Sequence, residues 1–123
     1  VKDSIVIFGA GYGFEMLCLA KWLQNVSLYY WGDIDTHGFA ILDQLRKNFP
    51  EAKSVLMDFE TLNLHKQFWV TEATPESREL YRLADSERAV YNALRNNTSG
   101  QNIRLEQERI SFLYLCSVVQ NLP

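Results

Sequence analysis

The sequence predicts an α/β domain: a parallel sheet flanked by helices, with a helical C-terminal part, spanning residues 1–123 as one domain. Three observations predict it. Short β-branched and aromatic runs recur at SIVIF (4–8), SLYYWG (27–32) and SVLM (54–57). Between them lie stretches whose apolar residues return at helical spacing. Each run also stops at a glycine or an aspartate, residues that end strands. Strand, helix, strand, helix, strand at such short intervals calls for parallel pairing with right-handed crossovers.

In chain order, SIVIF reads as a strand buried on both faces, because its apolar character is continuous rather than alternating. The glycine-rich GAGYG turn follows. Phe14, Leu17, Cys18 and Trp22 then space a helix over about Phe14–Gln24. SLYYWG is too short and too aromatic for a helix and ends at Asp33. Phe39, Ile41, Leu42 and Leu45 face one way along GFAILDQLRKN (38–48), and Pro50 closes that helix. SVLM ends at Asp58. Residues 60–68 form one or two helical turns, and 70–85, with Pro75, form an irregular connection. A helix opens at Ser86 and runs to about Arg95, before the polar turn Asn96–Gly100. A last helix spans Ile103–Val119, with Ile110, Leu113, Tyr114 and Val118 on its apolar side.

Composition sets limits on function. With 12 basic and 15 acidic residues the net charge is −3, and the deficit lies in residues 1–74, which hold 6 basic against 9 acidic groups. Binding to nucleic acid by phosphate neutralisation alone is therefore disfavoured. An acidic locus in a nearly neutral domain fits a divalent-cation site better. No window has the ~18 apolar residues of a membrane span, nor does the N-terminus have a signal-peptide layout, so a cytoplasmic address and no membrane partner are expected. Cys18 and Cys116 read as reduced thiols in apolar stretches. A start at Val1, almost directly in a strand, points to an N-terminally truncated C-terminal fragment of a longer protein.

Two motifs carry chemistry. Gly9, Gly11 and Gly13, with Asp33 at the end of the next strand, imitate a dinucleotide-binding unit. The third glycine of that fingerprint is displaced, however, and Phe14 takes its place. A loop that shapes the site without binding a nucleotide cofactor is expected instead. The second motif, Asp33-Ile34-Asp35-Thr36-His37-Gly38, sits where open α/β sheets hold ligands. Residues two apart in extended chain point the same way, so Asp33 and Asp35 present two carboxylates together, and such anions repel unless a cation lies between them. The other reading is that Asp35 caps the helix and Asp33 ends the strand. Spacing alone leaves both open. Without a metal, relief of the repulsion would make Asp33→Asn slightly stabilising, whereas loss of a cap would be destabilising.

The run YYWGDIDTHGFAILDQLR resembles the signature of the C-terminal domain family of the Wadjet anti-plasmid protein JetD. IFGAGYG, SVLMD with ETL and Trp69, and RLEQERI occur around it in that family's order. More distantly, the Asp-x-Asp with its glycine-led helix resembles the toprim domain of Spo11 and topoisomerase VI A subunits. The resemblance implies a toprim-like, Rossmann-like domain that cleaves DNA with Mg²⁺ or Mn²⁺ held by Asp33 and Asp35. It implies DNA and SMC-like subunits as partners, with a homodimer as a further assembly. Asp58 is a candidate third ligand, and Gly38 joins the site-shaping glycines. His37, Arg104, Glu106, Glu108 and Arg109 are candidates for supporting the site or binding DNA. Toprim domains also use a glutamate from a strand preceding SIVIF, which this chain lacks; Glu15, on the following helix, is no substitute. The fragment alone is thus expected to bind metal weakly and not to cut. Two alternatives stand beside this reading: a dinucleotide-binding Rossmann-like module, and a catalytically silent interaction domain of a defence complex.

Overall fold

The computed structural model describes residues 3–9 and 11–123. Around one principal core it arranges four α-helices, α1 (Thr36–Asn48), α2 (Phe59–Leu64), α3 (Asp85–Arg95) and α4 (Phe112–Val119). Four two-residue strands connect them: β1 (Tyr29–Tyr30), β2 (Lys53–Ser54), β3 (Val70–Thr71) and β4 (Ile103–Arg104). β1 and β2 pair in parallel, joined through α1 as the crossover. β3 and β4 pair antiparallel, and a single bridge ties Ile34 to Leu105. The architecture is mixed α/β, as expected, but the described residues form two separate strand pairs rather than one broad parallel sheet.

Three expectations are corrected. SIVIF forms no strand: Val6 is 76% and Phe8 92% exposed, and residues 5–9 carry no strand pairing. A β-branched run records a preference that only a neighbouring strand can satisfy, and the pairing of β1 goes to β2. The helix expected at 14–24 is instead two 3-10 stretches, Gly11–Leu19 and Lys21–Asn25. Phe14, Leu17, Ala20 and Leu23 all pack into one small cluster with Leu45 and Phe49, and their three-residue spacing matches a three-residue turn. Trp22, outside that register, is exposed. The last helix begins only at Phe112. Ahead of it, Ile103 and Leu105 are buried while Arg104 and Glu106 are not, a period of two that marks extended chain. Leu113, expected on the apolar face, is exposed.

The core gathers Ile34, Phe39, Leu42, Leu62, Leu80, Val90, Tyr91 and Leu105. One ion pair pins three elements around it. Arg46 of α1 donates to both carboxylate oxygens of Glu87 in α3, and Ser54 of β2 donates to the same carboxylate at 2.6 Å. Glu87 also accepts the Ala84 N–H, closing the first turn of α3. Burial pushes this carboxyl up, but the donors outweigh it and hold Glu87 below the usual range. Among the described residues no helix is long and apolar enough to cross a membrane. Both cysteines are free and half-buried.

Candidate metal centre

β1 runs through Trp31 and Gly32 to Asp33, and α1 starts three residues later. Asp35 has extended backbone and caps α1: its Oδ1 accepts the Gly38 N–H at 2.6 Å. Gly38 is required by close approach. A Cβ there would lie 2.0 Å from the Asp33 carbonyl oxygen, so only glycine lets the first turn of α1 pack onto the strand end. In this way one tight turn fixes Asp33 and Asp35 relative to each other.

The repulsion between the two carboxylates is met inside the chain. Arg104 of β4 donates from Nη2 to Asp33 Oδ2 at 2.8 Å, and its Nε lies 3.3 Å from Asp35 Oδ2. The second contact is electrostatic rather than a hydrogen bond, since the buried Nε–H has no acceptor in bonding geometry. Asp33 Oδ1 accepts the Gln107 N–H at 2.8 Å. The Ile34–Leu105 bridge brings the segment holding Arg104 alongside the aspartates, with Ile34 N–H to Leu105 O at 2.9 Å and Leu105 N–H to Ile34 O at 3.1 Å. Glu106 adds another carboxylate 3.7 Å from Nη2.

Glu72, just after β3, was not singled out by sequence reasoning because it falls in the connection read as irregular. It is buried and accepts from Thr36 Oγ1 at 2.8 Å, from Thr36 N–H at 3.3 Å and from His37 N–H at 3.2 Å. The free N–H groups of α1 are therefore taken by Asp35 and Glu72. Burial first, then the charges of Glu72 and Asp33, push Asp35 up to about 6 against the pull of the Gly38 N–H and Arg104. One guanidinium thus faces Asp33, Asp35 and Glu106, while Glu72 adds its charge beside Asp35. Tyr30, whose hydroxyl burial and the same two aspartates push up, closes the side toward β1.

The other candidates distribute around this locus. His37 Nε2–H donates to Thr74 O at 2.7 Å, leaving Nδ1 to accept from the Tyr12 hydroxyl at 3.0 Å. Tyr12 lies in the glycine segment, so that segment does reach the start of α1. Gly11 takes a left-handed φ of 60°, and a Cβ there would touch Ile41; Gly9 has open space around it, Gly13 is exposed, and Ala10 lies outside the described residues. Asp58 caps α2 by accepting the Thr61 N–H at 2.8 Å and shares no hydrogen bond or ion pair with Asp33 or Asp35. Glu108 and Arg109 are exposed, and the Arg109 guanidinium lies over the Phe68 ring. Glu15 is exposed on the 3-10 stretch.

A match to the family described as Wadjet protein JetD, C-terminal, covers residues 1–119. The chain belongs to that JetD C-terminal family. Membership implies a role in a plasmid-defence system and points to a multi-subunit complex. No curated protein matches the chain.

The donors suit a hard divalent ion, since two adjacent carboxylates with water and a phosphate are what Mg²⁺ takes. Among the described residues no three His, Cys, Asp or Glu side chains are arranged to hold a metal, so Asp33 and Asp35 constitute at most a two-carboxylate half of a centre.

Proposed function

We propose that this JetD domain is a toprim-like nuclease domain that acts on DNA with Mg²⁺ or Mn²⁺ bound at Asp33 and Asp35, in the cytoplasm and beside SMC-like subunits. The observation that supports it most is the excess of negative charge at a rigid turn. Asp33 and Asp35 are locked together by the fit of Gly38, and the single Arg104 leaves Asp35 shifted to about 6.

In this reading a bound divalent ion supplies positive charge to the scissile phosphate and to the oxygen that leaves. Asp33 offers Oδ2 once Arg104 gives way, and Asp35 offers Oδ2 while its Oδ1 stays on the Gly38 N–H. Glu72 and Thr36 hold the start of α1 so that this Oδ2 keeps its direction. A further carboxylate, in the place of the toprim glutamate, would complete the centre. A dinucleotide module is the poorer reading, because Phe14 stands where the third glycine of that fingerprint belongs. Docking within the complex has its own support in the exposed Ile5–Phe8 run and in Phe112 and Leu113.

The test is divalent-dependent DNA cleavage by the full-length JetD protein. Asp33→Asn and Asp35→Asn should each abolish it with the fold retained, whereas Asp58→Ala should cleave normally. Cleavage surviving in both aspartate variants would overturn the reading.

A further inference from the structure

We propose that Arg104 is a resident counter-ion that competes with the divalent cation for Asp33 and Asp35, standing in for the metal until the metal displaces it. The inference rests on the metal reading above and extends it to a residue from another strand. Three features point to it. The guanidinium reaches both aspartates at once, with Nη2 on Asp33 Oδ2 and Nε near Asp35 Oδ2. It is imperfectly seated there: Nε–H is buried yet makes no hydrogen bond, and Glu106 draws Nη2 from a third direction. Its backbone is held beside Ile34 by the Leu105 bridge while its side chain stays 35% exposed, so the head group can leave without unfolding the strand.

The chemistry follows from charge. A divalent ion held by Asp33 and Asp35 would repel a guanidinium at the same carboxylates, so the two would not occupy them together. Free of Asp33, Arg104 remains tethered at the rim as a planar fork of N–H donors suited to a phosphate oxygen. The metal-free protein then keeps its acidic pair intact, and the residue displaced by the metal becomes available to the substrate.

Mn²⁺ binding to the 123-residue chain, followed by water-proton relaxation, tests this directly. Arg104→Gln should bind Mn²⁺ about tenfold more tightly than wild type, because a positive charge beside the ion is gone. Arg104→Lys, which keeps the charge, should stay near wild type. Wild-type binding with equal or weaker binding by a folded Arg104→Gln protein overturns the competition and leaves the metal reading standing. Binding by neither protein overturns both. Should Arg104→Gln fail to fold, Mg²⁺ added to wild type decides: the Arg104 Nε–H resonance should shift as Mg²⁺ is titrated, and a resonance that stays in place contradicts the proposal.

Discussion

Arg46–Glu87 and Arg104–Asp33–Asp35 are both arginine–carboxylate clusters, and they are built to opposite rules. Around Glu87 a single carboxylate takes Arg46, Ser54 and the Ala84 N–H, and its charge is stabilised below the usual range. Around Arg104 a single guanidinium faces Asp33, Asp35 and Glu106, one of its buried N–H groups finds no acceptor, and Asp35 is shifted the other way. The first arrangement joins α1, β2 and α3. The second leaves Asp35 raised by burial and by neighbouring carboxylates at the start of α1, the imbalance on which the proposed metal site rests.

That contrast can be broken experimentally, and the largest effect belongs to the balanced cluster. Glu87→Ala strands Arg46, 11% exposed, without its partner, and should lower stability by about 3–5 kcal/mol in urea unfolding. A cost below about 1 kcal/mol would place this pair with exposed surface pairs and erase the comparison. Next comes Gly38→Ala, whose Cβ would sit 2.0 Å from a backbone oxygen. It should cost about 1–3 kcal/mol by forcing α1 off the strand end, and Mn²⁺ binding should weaken with it.

Asp35 gives the sharpest contrast in sign. Its carboxyl titrates at 3.8 when exposed and about 6 when folded, so between those values the folded chain binds more protons and stability falls as pH rises. Asn at position 35 keeps the cap on Gly38 without the charge. Asp35→Asn should therefore match wild type in acid and exceed it at neutral pH by on the order of 3 kcal/mol, the gap opening through that window. Asp33→Asn should be destabilising, because it loses a charged bond to Arg104 worth about 1.5–3 kcal/mol. The repulsion argument had predicted the reverse for Asp33; the structure moves the relief of charge to Asp35. Smallest is Asp58→Ala, which should remove one cap, about 1 kcal/mol, and leave Mn²⁺ binding unchanged.

The helices α1 and α3 and the pairing of β1 with β2 were legible in the sequence because local signals agree there: apolar spacing, an aspartate cap and Pro50 all say the same thing. Asp33, Asp35 and Gly38 were legible for the same reason, since their relation is set within six residues. Arg104 was visible as a candidate but not its role, which depends on the Ile34–Leu105 bridge across 71 residues. The alternation Ile103, Arg104, Leu105, Glu106 was the available signal, masked by the charges that follow it at helical spacing. Glu72, Thr36 and Tyr12 had no local signal at all; a buried carboxylate is recognisable only once its donors are known. Ile5–Phe8 shows the converse failure, a strong strand preference with no strand paired to it among the described residues.

The most direct test of the central claim is Mn²⁺ titration of the 123-residue chain beside its Asp33→Asn/Asp35→Asn double variant and Glu87→Gln, each checked for a cooperative fold. One weak site should appear in wild type and in Glu87→Gln and vanish in the double variant. A site that persists without both aspartate charges, or no site in wild type, would contradict the account.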